Sequence, residues 1–310
     1  MMVAMNAAAL RQRFSLPGLT FDEANGLTRV QIATADATAT VYIQGAHLTA
    51  WQPAGFDSAI LLSHTSEFAP GKPIRGGIPI VFPWFAGDRK KDRIDGHPGP
   101  SHGFARIQNW TLESVEFEEG KVKRSGDTVN LVFTLGPTDM SRAMGYANFL
   151  LKLEFKIGQQ LYMVLTVTNT SSEAMSFEEA FHSYFEVADI HEVSLIGLEP
   201  TSFIDKTDAM QVKPAEHEPI RFTKTVDRVY NHTTADVTII DVAGRRAIHL
   251  QKTGSNTTVV WNPFGPLPDL GEWDWHSMVA VETANAGDDA ITLAPGESRS
   301  MTQNVELSKV

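Results

Sequence analysis

The stretch LKLEFKIGQQLYMVLTVTNT, residues 151–170, decides the fold class. In its first half Leu151, Leu153, Phe155 and Ile157 alternate with Lys152, Glu154 and Lys156. Successive side chains of an extended chain point to opposite faces, so this period of two predicts a strand with one buried and one wet face. Its second half is again rich in β-branched and aromatic residues, which suit a pleated, half-buried surface.

The same signal recurs in LTRVQIAT, ATVYIQG, TVNLVFTLG, DVTIIDVAG, RAIHLQKTG, TTVVWNP and SMVAVET, each bounded by turn residues. The nearest approach to a helical period is SRAMGYANFLLKL, which Gly145 interrupts. No Ser/Gly/Pro linker and no fixed-period repeat divides the chain, so a single domain over residues 1–310 is expected, with 1–20 as a peripheral N-terminal segment. Many short strands separated by frequent turns predict an all-β architecture of stacked antiparallel sheets or a barrel. Sheet surfaces of that size can form a cleft for a sugar.

Composition narrows the function. The 310 residues are 42% hydrophobic and 20% charged, with a net charge of −11. An acidic chain lacks the extended positive surface needed to coat nucleic acid or an anionic membrane. The absence of cysteine excludes disulfides, thiolate metal sites and a thiol nucleophile, leaving oxygen and imidazole for catalysis. The N-terminal residues lack the basic-then-apolar order of a secretory signal, and no apolar run approaches the ~18 residues of a membrane span. A cytoplasmic protein is expected, so the sequons at Asn169 and Asn231 read as chance matches.

One segment runs against the acidic total. Residues 75–106 hold six cations (Arg75, Arg89, Lys90, Lys91, Arg93, Arg106) against Asp88, Asp92 and Asp95, a local charge of +3. Its middle, DRKKDR, reads as a solvated loop. Arg75 and Arg106, at its glycine-containing ends, are better placed to grip an anion through paired guanidinium hydrogen bonds. In SHGFAR, His102 and Arg106 bracket a glycine able to turn sharply, although a histidine near a turn is ordinarily a surface group. In EEAFHSYFE, His182 and Tyr184 share one strand face and Phe181 and Phe185 the other; a histidine among aromatics is more often a satisfied core group than a catalyst. In MVAVETAN, Glu282 interrupts an apolar strand, so it either faces water or is buried, needs a partner and has a raised pKa.

Taken in order, RGGIPIVFPWFAG, HGFAR, FHSYF, FIDK and VETAN resemble the hexose-6-phosphate mutarotase branch of the aldose 1-epimerase family, over most of the chain from GAHLTAW at Gly45 to ETANA near residue 286. The resemblance implies a galactose-mutarotase-like β-sandwich with a concave sugar cleft, and interconversion of α and β anomers without cofactor or metal. It also implies a small-molecule sugar phosphate as the partner, rather than nucleic acid or membrane, and a monomer. By motif, His182 matches the general acid and Glu282 the general base, while Arg75, Arg106, Asp205 and His102 match substrate-binding positions. Ser101 stands where the family commonly has a glutamine, so contact there would run through a shorter hydroxyl, and DRKKDRIDGHPG also departs from the family pattern. The anion would be the 6-phosphate, held by Arg75 and Arg106 with Lys72 and Lys206 in support. Unphosphorylated aldoses and a non-catalytic sugar-binding role are the alternatives. Glu282 would take the proton of the anomeric hydroxyl while protonated His182 gives one to the ring oxygen, so neighbours that raise the histidine pKa and keep the glutamate ionised are expected.

Overall fold

The computed structural model describes residues 5–87, 99–119 and 127–310; the DRKKDR run of the basic segment lies outside them. Every strand pairing in its sheets is antiparallel. The stretch that decided the fold class is a hairpin, Phe149–Ile157 against Gln160–Asn169, with Leu153 opposite Leu165, Phe155 opposite Met163 and Ile157 opposite Leu161. These apolar residues are fully buried, and each contributes about 1.5–3 kcal/mol relative to exposure.

The hairpin belongs to a nine-stranded sheet of order Ile220–Arg221, Val193–Ile196, Val237–Asp241, Arg246–Thr253, Ser298–Lys309, Gln160–Asn169, Phe149–Ile157, Thr128–Leu135, Thr111–Glu118. An eight-stranded sheet runs Gln211–Lys213, Phe203–Asp205, Val226–Tyr230, Thr257–Asn262, Met278–Asn285, Glu179–Phe181, Ile80–Val81, with Tyr184–Glu186 also paired to Met278–Asn285. A four-stranded sheet from Leu19 to Pro53 and a two-stranded one, Met175–Phe177 with Ile291–Leu293, complete the set among the described residues. Neither large sheet closes on itself, so the architecture is a sandwich and not a barrel. Phe181, Phe185, Val279 and Val281 of the eight-stranded sheet share one apolar core with Leu153, Leu165, Met301 and Val305 of the nine-stranded sheet.

Polar pins fix the sandwich. Buried Arg246 donates from Nε to Asp241 and from its other nitrogens to the carbonyls of Asp57, Ser58 and Glu186, tying the nine-stranded sheet to the Tyr184–Glu186 strand. Asn169, one of the two sequons, is fully buried and gives its amide to the carbonyls of Glu173, Leu293 and Ala294, so its side chain is a loop clamp. The described part of the N-terminal segment begins at residue 5. Its helix Ala7–Arg13, capped by Asn6, buries Ala7 and Leu10 in the main core. SRAMGYANFLLKL divides into the short helix Asp139–Ala143 and the strand Phe149–Ile157, with Gly145 at φ +83° in the turn between them. No helix among the described residues is long and apolar enough to cross a membrane.

Glu179, at the start of the Glu179–Phe181 strand, is fully buried; its Oε1 accepts from Asn285 at 2.9 Å and its Oε2 has no partner within the protein. Burial pushes its pKa up from 4.5 to about 7, against the Asn285 hydrogen bond and the charge of Arg299. Below pH 4.5 folded and unfolded chains both hold this proton. Between 4.5 and 7 only the folded chain does, so stability falls as pH rises through that window. Glu179→Gln should flatten this decline and leave the variant about 3 kcal/mol more stable than wild type at pH 8, with little difference at pH 4. Denaturant unfolding across that range checks it, and parallel curves for the two proteins would refute it.

Candidate active site

The central strand of the eight-stranded sheet, Met278–Asn285, pairs with two short strands in succession, with Phe181 opposite Thr283 and Tyr184 opposite Ala280. The register is continuous across the gap, so His182 stands directly opposite Glu282. A directly opposed pair shares one sheet face, and the His182 Nε2 lies 3.4 Å from Glu282 Oε1 with both side chains almost wholly buried. The alternation read at His182 holds: its ring stacks on Tyr184 at 4.7 Å between centroids, while Phe181 and Phe185 enter the core. The adjoining row of this face runs Tyr184, Ala280, Trp261, Asp227.

Two loops and a helical turn bring the other groups. Gly76 and Gly77 follow Arg75, and a Cβ on Gly77 would lie 2.5 Å from both the His47 ring and the Leu48 carbonyl. Only glycine lets this loop press against the strand below it. Arg75 then reaches over the sheet. Its Nη1 donates to the Tyr184 hydroxyl at 2.8 Å, and its guanidinium lies 5.6 Å from the Tyr184 ring centre and 5.3 Å from that of Trp261. The Nε is 3.4 Å from Asp269 Oδ2, an ion pair without hydrogen-bond geometry. The second loop turns at His102 and Gly103, both at positive φ, where a Cβ on Gly103 would fall 2.0 Å from the Phe82 carbonyl oxygen. His102 Nδ1 accepts from the Ala86 amide at 3.3 Å, leaving the ring proton on Nε2, and its ring lies edge-on to His182 at 5.2 Å. Arg106, in the third piece Ala105–Ile107, donates from Nη2 to the Ser101 carbonyl at 2.8 Å.

Burial dominates the electrostatics. It lowers the pKa of His182 well below 6.5, reinforced by His102, Arg106 and Arg75. It raises that of Glu282 well above 4.5, reinforced by Asp227 and opposed by Lys206 and Arg75. The expected environment, one that raises the histidine and keeps the glutamate ionised, is therefore corrected in both directions. Desolvation disfavours both charges, and the cations beside His182 disfavour its protonation further. Burial likewise holds His102 near 3, with Arg106, Lys206 and Arg75 adding to it, so His102 is a neutral donor.

Of the residues singled out in the sequence, His182, Glu282, His102, Arg75 and Arg106 converge. Ser101 is exposed; its hydroxyl reaches the Ala86 carbonyl at 3.4 Å, and its contribution to the cluster is the carbonyl that holds Arg106. Asp205 is not brought to the pair. Its register places it in the alternate row with Arg228, Val260 and Val281, and its Oδ1 accepts from the amide and hydroxyl of Thr207. The next residue, Lys206, pairs through Nζ with Asp227 at 2.9 Å, and it is Lys206 whose charge reaches Glu282 and His102. Lys72 is exposed on a turn that Gln44 pins through the Lys72 carbonyl. Sequence reasoning missed Asp227, Trp261 and Asp269 as parts of the site. Tyr184 was visible two residues from His182, but the loop carrying Asp269 has no local signal.

His182 Nδ1, Glu282 Oε2, Asp227 Oδ1 and the Nε atoms of Arg75 and Arg106 are buried without hydrogen-bond partners inside the protein. Orphaned buried polar atoms are uncommon, and this many in one place suit a polar, hydroxyl-rich or anionic ligand. Hollows lined by Met5, Arg13 and Trp110, or by Tyr162, Lys252 and Asn304, contain neither His182 nor Glu282, so the buried His182–Glu282 pair and not cavity depth marks the candidate site. A different group, Asp189, His191 and His276, brings donor atoms within 4.8 Å of one another and is the cluster among the described residues with donors suited to a metal ion. It includes neither His182 nor Glu282.

Comparison with known proteins identifies the family. A protein of Escherichia coli K12 that carries glucose-6-phosphate 1-epimerase as a provisional name is 32% identical over 257 residues, covering 81% of this chain and 80% of its own. One of Cenchrus ciliaris with the same provisional name is 30% identical over 282 residues, covering 88% and 82%. The crystal structure of a provisionally named mutarotase from Salmonella typhimurium superposes with a TM-score of 0.86 at 26% identity over 96% of each chain. The family described as aldose 1-epimerase matches residues 28–306, and the chain belongs to that family.

Proposed function

We propose that the protein interconverts the α and β anomers of a hexose 6-phosphate, D-glucose 6-phosphate foremost, with His182 and Glu282 as the acid–base pair. The observation that carries the reading is a buried imidazole 3.4 Å from a buried carboxylate, directly opposed on one sheet face beside two arginines. The relatives' provisional names support the substrate class. A single domain, a monomer and a cytoplasmic location belong to the same proposal.

Ring opening needs one group to take the proton of the anomeric hydroxyl while another gives a proton to the ring oxygen. C1–O5 then breaks to an open-chain aldehyde. Rotation about C1–C2 presents the other carbonyl face, and the two transfers run in reverse. The net change is zero, so the pair ends each turnover holding the single proton it began with. In the free protein burial favours that proton on Glu282. A 6-phosphate carrying roughly −1.5 to −2 charges near pH 7 would offset Arg75 and Arg106, two of the charges that depress His182. Glu282 keeps Lys206 as its counter-charge. Binding thus moves the proton towards His182, the state in which the imidazole is the acid and the carboxylate the base. Neutral His102 is placed to donate from Nε2 to a sugar oxygen.

Exchange NMR on the anomers of glucose 6-phosphate tests the assignment directly. Glu282→Gln keeps the shape and loses the proton acceptor, so exchange should fall by about 10²–10⁴ while sugar-phosphate binding persists; wild-type turnover would remove Glu282 from the role.

The pH dependence of kcat/KM should be bell-shaped. Its two limbs belong to the pair as a whole, because the groups are coupled, and the form with one proton on the pair is active. His182→Asn should abolish the alkaline limb with most of the rate. An intact alkaline limb in the residual activity would assign the acid elsewhere.

Replacing Arg75 or Arg106 by Ala should raise KM for glucose 6-phosphate roughly ten- to a hundredfold, the worth of a charge-assisted contact of about 1.5–3 kcal/mol, with little change for free glucose. Equal losses on both sugars would assign the arginines to cleft shape, and efficient turnover of free glucose by wild type would favour an unphosphorylated substrate.

A further inference from the structure

His182 and Ser183 fall between the strands Glu179–Phe181 and Tyr184–Glu186, where the regular ladder is interrupted. The backbone amide of His182 bonds to the Pro79 carbonyl and not to the Glu282 strand. A direct tie between the two chain segments at this point is the Val281 amide to the Ser183 carbonyl, at 3.1 Å. A 3.4 Å separation of two side chains here needs further support.

That support comes from behind the sheet. Alternation sends Ser183 and Thr283, each immediately following one member of the pair, to the face opposite His182 and Glu282. There they meet Gln303 of the strand Ser298–Lys309, a polar residue on an inner face otherwise made of Met301, Val305 and Leu307. Gln303 Oε1 accepts from the Thr283 hydroxyl at 2.9 Å and from the Ser183 hydroxyl at 3.2 Å, and its Nε2 lies 3.0 Å from the same Ser183 oxygen. Gln303 and Ser183 are fully buried and Thr283 is 2% exposed. A single amide therefore bridges diagonal positions of the two segments that carry the acid and the base.

We propose that Gln303 is a positioning residue: through Ser183 and Thr283 it sets the separation and orientation of His182 and Glu282. A polar triad in a dry core is costly unless every member is satisfied, and an apolar trio of similar shape would pack as well. What hydrogen bonds add is direction, because they fix how far the interrupted segment can slide along its neighbour. The functional half of this proposal rests on the acid–base reading above; the geometric half does not.

Two variants and two readouts test it. Gln303→Leu removes the bridge, and the combined variant Ser183→Ala/Thr283→Val/Gln303→Leu removes it without leaving buried hydroxyls unpaired, which guards against failure of the first to fold. In folded protein both should shift the side-chain nitrogen NMR signals of His182. Both should lower kcat for glucose 6-phosphate anomer exchange by about 10- to 100-fold, the range for a misplaced reacting group, with KM within about twofold. Unchanged His182 signals in the folded combined variant would overturn the geometric claim. Shifted signals with wild-type kcat, while Glu282→Gln is inactive, would overturn the functional one. A fully active Glu282→Gln would instead count against the acid–base assignment, and the His182 signals would still decide whether Gln303 positions that side chain. Loss of KM and kcat together would assign the triad to general stability and overturn the positioning role.

Discussion

The structure turns on the desolvation of two ionisable groups held opposite one another on the central strand of the eight-stranded sheet. A histidine and a glutamate buried 3.4 Å apart lose hydration on both sides. The sheet must supply what water no longer does. Beside the imidazole stand Arg75, Arg106 and His102, which add to its desolvation; beside the carboxylate Lys206 opposes that desolvation and Asp227 adds to it. Burial and the cations together depress the imidazole, and burial outweighs Lys206 at the carboxylate; in the mechanism we propose, the pair shares one proton whose position follows the charge of whatever occupies the cleft. On that proposal, an anionic substrate on Arg75 and Arg106 would couple binding to the protonation state that ring opening requires.

The rest of the fold protects that arrangement. The loop of Arg75 and the loop of His102 are pressed onto the sheet at glycines where a Cβ would collide with backbone. Arg246 ties the strand of Tyr184 to the nine-stranded sheet through the Glu186 carbonyl, and the adjoining loop through the carbonyls of Asp57 and Ser58. Gln303 holds the residues behind the pair. Each device spends a buried polar group in an apolar interior, tolerable only because its hydrogen bonds are made. Partnerless atoms of His182, Glu282, Asp227, Arg75 and Arg106, by contrast, gather where a polyhydroxylated anion would supply them.

Much of this was legible in the chain itself. Period-two alternation in residues 149–169 set the strand class and the buried face, since side-chain direction in an extended chain is a local property. The absence of cysteine limited the chemistry to oxygen groups and imidazole, and the acidic total pointed to a small ligand. The ordered motifs around Arg75, Arg106, His182 and Glu282 indicated the family, and the structure brings those four residues together from segments far apart in sequence.

What only the tertiary structure decided were quantities that depend on register and burial. Alternation within one strand does not say which residue of another strand lies opposite, and one step along Phe203–Asp205 exchanges Asp205 for Lys206 as the group whose charge reaches Glu282. Nor does local sequence say how much water a side chain keeps, so the expected histidine pKa had the wrong direction until its burial among cations was known. Asp269 in a loop and Gln303 in a distant strand carry no local signature, because each matters through partners that folding alone brings near. The chain by itself determined which chemical groups are present and which faces are apolar; their mutual distances and solvation are non-local, and only the packed sheets set them.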